Sequence, residues 1–487
     1  MEIFLIGHEY KYAAEQSLLC LYPEERPVYP DAPTGADSVT LTLSRGKVYA
    51  SCVCNLSRNG QQTRGEARVQ LSRLTDKVTE DRYLQRIVKQ AFYKAALNAG
   101  HPMPVWGSLT GVRPGKLFLS LMNAGQTEAQ AARTFRQEFG VSPERTELVR
   151  ATTRAALRAD ASLEEKDVCL YLDVPFCPTR CAYCSFVSVE ASRSLKLLPA
   201  YLEAQEKEME AVARAVQEVG ARVVSVYVGG GTPTTLSAEQ LDRLCGRTRE
   251  LFDLSACREF TVEAGRPDTV TEEKLLALKK NGVSRVSVNP QTMSDAVLAA
   301  IGRLHSTEDI YRAMELVRRI GGFEVNMDLI AGLPGDDPEQ FAETVRKLIA
   351  MEPENITVHT LALKKGSRFT LEQTALPDAE AVGKMLDNAN ALLSAADFSP
   401  YYLYRQKFMS GSFENVGWTR PGHDNLYNIC IMEELTGILS MGAGGSTKLV
   451  ENGSVERLMT PKYPREYAER IDAVCEAKQK IIDFYNR

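Results

Sequence analysis

Between residues 168 and 360 the chain repeats one pattern six times: an apolar run, a loop, then a segment with apolar residues at helical spacing. The runs 168–174, 223–228, 259–263, 284–288, 323–330 and 355–360 read as strands. The segments 197–218, 237–252, 271–281, 294–301, 307–320 and 337–351 read as helices. Strands that alternate with helices pair in parallel through right-handed crossovers. Six units rather than eight predict an α/β fold, an open partial (β/α)6 barrel. Its chemistry is expected on the loops at the C-terminal strand ends.

The loop after the first strand carries Cys177, Cys181 and Cys184, spaced C-x3-C-x2-C. Such a trio predicts an iron–sulfur cluster. Four ligands would close a four-iron cube, whereas three leave one iron open to a small molecule. Zinc is the competing reading, but zinc sites usually pair two C-x2-C units. The other eight cysteines, at 20, 52, 54, 169, 245, 257, 430 and 475, supply no second pair. Cys169 reads as core, and Cys52 and Cys54 read as facing opposite sides of a strand. Gly229-Gly230-Gly231-Thr232-Pro233 follows the second strand, where glycine lets the backbone approach a ligand closely. The run matches neither G-x-G-x-x-G nor a P-loop. Glu263 ends the third strand, Gln291 follows the fourth, and Asp328 lies near the end of the fifth.

Three domains are expected: 1–160, an N-terminal α+β domain; 161–365, the barrel; and 366–487, a C-terminal α+β cap over the substrate. In the first, Ser38–Val53 alternates like a hairpin, and a helical period begins at Glu80. In the last, a helix is expected near 377–396 and a single amphipathic helix over 465–485. A net charge of −5 with no long basic tract argues against a nucleic-acid surface. No basic leader and no run of 18 apolar residues are seen, so no membrane partner is expected. Eleven cysteines without a secretory signal suggest the reducing cytoplasm.

C-x3-C-x2-C after strand one, with G-G-G-T-P after strand two, resembles the radical S-adenosylmethionine (SAM) superfamily. Further runs narrow the likeness. Val286-Ser287-Val288-Asn289-Pro290-Gln291, Gly302-Arg303-Leu304-His305 and Asn326-Met327-Asp328 resemble the oxygen-independent coproporphyrinogen III oxidase group. Gly111-Val112-Arg113-Pro114-Gly115-Lys116 and Val262-Glu263-Ala264-Gly265-Arg266-Pro267 resemble its long branch from Gram-positive bacteria. The likeness implies a [4Fe–4S] cluster on the three cysteines, with SAM on the open iron. It implies one-electron cleavage of SAM to a 5′-deoxyadenosyl radical. That radical would start oxidative decarboxylation of two propionates of coproporphyrinogen III, giving protoporphyrinogen IX. The electron would come from a flavodoxin- or ferredoxin-type donor.

By motif, the likeness places Tyr171, Tyr183, Ser185, Gly230, Gly231, Thr232, Glu263, Gln291, Arg303 and Asp328 at SAM, with Tyr171 and Arg303 catalytic. Arg266, Arg303 and Arg405 are candidate clamps for substrate carboxylates, which arginine binds bidentately. Tyr401, Tyr402 and Tyr404 are candidates for stacking a tetrapyrrole or for a core strand. Two positions depart from the family: Asp173 stands where a histidine is usual, and Ser185 where well-characterised decarboxylases carry a fourth cysteine. The alternatives are a haem carrier on the same scaffold, with His8, His101, His305, His359 and His423 as the possible imidazoles, and a tetrapyrrole methyltransferase.

Overall fold

The computed structural model describes the chain apart from residues 33, 36, 185–188, 191–194, 363–367, 373, 407–411 and 452. The chain divides into two compact units: Met1–Arg150 with a small piece of the later chain, and Ala151–Arg487 less that piece.

The first unit holds a sheet of β1 (Glu2–Ile6), β2 (Ser38–Arg45), β3 (Tyr49–Arg58) and β4 (Gln61–Gln70), in that order. β2 to β4 form the antiparallel meander their alternation predicts, while β1 joins β2 in parallel. Helix Lys77–Asn98 is capped by Asp76, whose side chain accepts from Thr79 N, and buries Leu84, Ile87, Val88, Ala91 and Phe92. Cys52 and Cys54 are both fully buried in one core. This corrects the expectation of opposite faces, because residues two apart on a strand share a face. Burial pushes the Cys52 thiol up to about 12.

In the second unit, β5 (Asp167–Val174) leads into a small parallel pair, β6 (Phe176–Cys177) with β7 (Val189–Glu190). Then β8 (Arg222–Gly230), β9 (Glu259–Glu263), β10 (Arg285–Ser287), β11 (Glu324–Ala331) and β12 (Asn355–Thr360) follow β5 in spatial order, all parallel. Helices Leu198–Val219, Ala238–Leu251, Glu272–Lys280, Thr307–Ile320 and Pro338–Ala350 connect them. Their starts are written locally. Ser237 with Gln240 and Ser306 with Asp309 form capping boxes, and Asp337 caps the helix that Pro338 opens.

The sheet does not stop at six strands. β13 (Ser399–Arg405) and β14 (Glu414–Thr419) extend it antiparallel beyond β12. On the other edge β15 (Gly437–Met441) runs parallel to β5, followed by β16 (Ser446–Glu451) and β17 (Ser454–Met459). The expected helix 465–485 is three helices, Pro464–Glu469, Ile471–Glu476 and Gln479–Tyr485. Arg470 leaves helical geometry (φ −112°, ψ 19°), and the amides of Lys478, Lys480 and Ile481 donate only three residues back, Lys478 N to Cys475 O.

Parallel sheets usually read as continuous apolar runs. Here alternate residues of the barrel strands are polar and are bonded to one another. Ser225 Oγ donates to Glu259 (3.0 Å), Tyr227 Oη to Glu263 (2.6 Å) and Thr357 Oγ1 to Asn326 (3.2 Å). Arg285 pairs with Glu324 and Asn355. Helix Leu426–Glu433 meets this face: Tyr427 N donates to Glu259 (2.7 Å), and its ring stacks on Tyr227 with centroids 4.4 Å apart.

Candidate functional site

Cys177, Cys181 and Cys184 are partly exposed, just beyond the C-terminal end of β5. The end of β8 packs directly on their loop. Gly231 N donates to Val174 O (2.9 Å) and Thr232 N to Phe176 O (2.8 Å). These two amides are therefore not an open cradle for an anion. Gly230 has φ +105°, and a Cβ on it would lie 1.7 Å from Asp173 Oδ1. Gly230→Ala is expected to lower stability by at least about 1–3 kcal/mol from backbone strain alone. A urea midpoint equal to wild type would contradict this.

Polar side chains reach the cysteine sulfurs. Thr232 Oγ1 lies 3.7 Å from Cys177 Sγ, and Arg266 Nη1 lies 3.9 Å from Cys181 Sγ. Arg266 also donates to Thr179 (3.0 Å) and forks onto Asp268 (3.1 and 3.3 Å). Burial opposes ionisation of Asp268, but His305 and Arg266 outweigh it and hold the carboxyl well below its usual range. The Arg266 fork is thus taken, so it buttresses the cysteine loop instead of clamping a substrate. Arg303 is buried and donates to Asn289 O (2.5 Å) and Tyr183 Oη (3.3 Å), which brings Tyr183 into the site.

The remaining candidates lie on the polar face of the sheet. Tyr171 stacks on Tyr227 (6.1 Å) and Tyr427 (6.0 Å), with its hydroxyl 3.4 Å from Asp173 Oδ1. Gln291 is buried at φ +70°, its amide donates to Asp328 O (2.9 Å), and its side-chain oxygen has no hydrogen-bond partner. Asp328 accepts from Asn326 (2.8 Å) and stands 3.7 Å from His359 Nε2. Burial works against its charge, yet His359, Asn326 and Thr357 outweigh it and lower its pKa. Ser185 lies outside the described residues. Tyr401 and Tyr402 are only 1% and 5% exposed, and the Tyr402 ring covers Gly417, so these two are core rings. Arg405 is buried at the end of β13, opposite Glu414.

Glu263 and Asp173 are both perturbed upward. Burial pushes Glu263 up to about 7, and burial with Glu263 nearby pushes Asp173 up to about 8. A raised folded-state pKa means stability present below the unfolded value of about 4 and lost as pH rises through about 7 and 8. Asp173→Asn should flatten that loss; urea midpoints at about pH 5 and about pH 8.5 check it. An unchanged slope would contradict it. Periodicity missed Tyr227, Tyr427 and Asn289. For Tyr227 the available signal was polar residues at every second position of a strand otherwise read as core.

The radical SAM superfamily profile matches residues 171–348. The oxygen-independent coproporphyrinogen-III oxidase-like protein HemZ of Bacillus subtilis is 37% identical over 385 residues, spanning 78% of this chain and 77% of that protein. The chain belongs to this radical SAM family. The heme chaperone HemW of Escherichia coli is 26% identical across 65% of this chain and 80% of its own length. Among solved structures, the radical SAM enzyme coproporphyrinogen III oxidase (HemN) of Escherichia coli has a TM-score of 0.52 and 25% identity, covering 66% of this chain and 72% of that one. These likenesses agree with the partial α/β barrel observed here.

The family implies a [4Fe–4S] cluster and SAM. Among the described residues, no three Cys, His, Asp or Glu side chains form a single-ion site. The residues present fit a cluster in their donor chemistry. Three partly exposed thiols share one loop, with a hydroxyl donor and a guanidinium beside the sulfurs to stabilise thiolate charge. The unpartnered Gln291 oxygen adds an acceptor for a ligand. No described helix is long and apolar enough to cross a membrane.

Proposed function

We propose that this chain is an oxygen-independent coproporphyrinogen III dehydrogenase, converting two propionates to vinyl groups. The observation that carries the reading is the packing of the three-cysteine loop on Gly230–Thr232, at the C-terminal ends of the parallel strands that carry Tyr171, Glu263 and Asp328. When bound, the cluster and SAM supply a hydrogen-abstracting radical and accept an electron from a flavodoxin- or ferredoxin-type donor. Cys177, Cys181 and Cys184 would hold the cluster. Thr232 and Gln291 offer SAM polar partners, and Tyr183 stands beside Arg303. The perturbed carboxyls suit an anionic substrate. Burial raises both carboxyls toward neutral pH, which lessens their negative charge and limits repulsion of propionates. Arg303 contributes a buried positive charge with its Nε unpartnered. Tyr171 is positioned between this mouth and the aromatic stack, where it can orient a bound ligand.

The test is anaerobic. The chain is reconstituted with iron and sulfide, then mixed with SAM, a reductant and coproporphyrinogen III. Mass spectrometry should find 5′-deoxyadenosine together with a porphyrinogen lacking two carboxyl groups. Unchanged porphyrinogen would discard this substrate. S-adenosylhomocysteine among the products would indicate methyl transfer instead.

A second reading, a haem carrier, has the HemW likeness in its favour. It predicts stable haem uptake without turnover. His359, part-exposed beside Asp328, is then the imaginable iron ligand, and His359→Ala should abolish the haem Soret shift. Haem bound equally by that variant would remove His359 from the carrier reading.

A further inference from the structure

We propose that Tyr201 and Gln205 are positioning residues, through which the C-terminal helices set how the cysteine loop is presented to SAM. This rests on the cluster and SAM of the reading above, and not on its substrate.

The two residues lie one turn apart on helix Leu198–Val219, so they share a face. Both are completely buried. Both grip one backbone atom. Tyr201 Oη donates to Asp173 O at 2.6 Å, and Gln205 Nε2 donates to the same oxygen at 2.9 Å. That carbonyl lies one residue before the end of the strand that delivers the cysteines. The Tyr201 ring also meets Phe176 edge-on, centroids 5.3 Å apart, and Phe176 immediately precedes Cys177. Phe176 O in turn holds Thr232 N. One helix face thus fixes the strand end, the residue before the first cysteine and, through it, the glycine-rich segment.

The same face is tied to the C-terminal segment. Gln205 Nε2 reaches Met441 O (3.2 Å), and Tyr201 Oη accepts from Ala443 N (3.1 Å). One turn on, Glu208 accepts from Gly442 N (2.7 Å) and from the Tyr467 hydroxyl, and pairs with Lys478 at 2.6 Å. Gly442 is at φ +121°, and a Cβ there would come within 2.6 Å of Tyr201 Oη and 2.8 Å of Asp173 O. Apolar side chains would hold a helix to a sheet without the risk of unpaired buried polar groups. Hydrogen bonds add direction: they fix the angle at which the chain leaves β5.

The test uses Tyr201→Phe, which keeps the ring contact and loses the hydroxyl, and Gln205→Met, which keeps the bulk and loses the amide. Both are made in the full chain and reconstituted anaerobically. The expected result is wild-type cluster content by absorbance, with about tenfold more SAM needed to perturb the reduced cluster's EPR spectrum, a shift on the scale of one lost hydrogen bond. Hydrogen exchange should quicken in residues 174–184 and not in the distant strands β9 to β12. Wild-type SAM affinity in both variants would overturn the proposal. So would faster exchange across the whole second unit, which marks a purely structural role. If Tyr201→Phe does not fold, Gln205→Met decides, and its failure to fold also overturns the proposal. A wild-type chain that binds SAM but leaves coproporphyrinogen unchanged would sink the substrate and leave this inference standing.

Discussion

Serine at any one of Cys177, Cys181 or Cys184 is expected to abolish the four-iron absorbance and EPR signal of the reconstituted chain. A three-ligand cube has no spare protein thiolate to lose, because its fourth iron is left for a small molecule. Serine keeps the size of cysteine but replaces a soft, easily ionised sulfur with a poorly acidic hydroxyl. Cys245 and Cys257, in the same unit, are poor substitutes. Burial pushes Cys245 up to about 12 and Cys257 up to about 11, so both stay protonated near neutrality. Cys245→Ser is the matched control and should keep its cluster. The loss should be at least about tenfold in bound iron per chain, measured beside the absorbance. Full retention in any of the three loop variants would sink the assignment of the cluster to this loop.

Lys478→Met is expected to destabilise the second unit by about 3–5 kcal/mol, as breaking one side of a buried ion pair does. Lys478 and Glu208 are 5% and 0% exposed at the side chain and stand 2.6 Å apart. Methionine fills much of the lysine volume, so the cost comes from the carboxylate left behind. Its other oxygen remains bonded to Gly442 N and the Tyr467 hydroxyl, but no cation then balances its charge. The double change Glu208→Gln with Lys478→Met should recover much of the loss, since neither charge is then stranded. Urea unfolding of the full chain, with hydrogen exchange to assign the effect to the second unit, measures both. A loss below about 1 kcal/mol, the scale of an exposed pair, would show that solvent already screens the contact.

The strand–helix repeat was legible because each element carries its own signal. Apolar runs mark the strands, and Ser237, Ser306 and Asp337 announce the helices that follow them. The positions of the candidate residues near the strand ends were legible for a related reason. In a parallel array the loops after successive strands share one end, so Cys177, Thr232, Glu263, Gln291 and Asp328 needed only their place in each repeat. Where local signals are weak, the sequence alone does not place an element. β1 and helix Lys11–Leu21 were not anticipated, and Cys52 and Cys54 were given opposite faces against the period of a strand.

By itself, then, the sequence determined the six parallel units, the cysteine loop and the strand-end order of the candidate residues, because all of these follow from periodicity and spacing along the chain. Only the tertiary structure decided the rest. It decided that Arg266 is occupied by Asp268, that Tyr401 and Tyr402 are core, and that five C-terminal strands continue the sheet at both edges. It also decided that Asp173 is buried near Glu263, and that Tyr201, Gln205, Glu208 and Lys478 converge behind it. Such facts join residues up to hundreds of positions apart. A side chain's charge state and bonding depend on which distant partners fill its surroundings, and no local pattern in the chain carries that information.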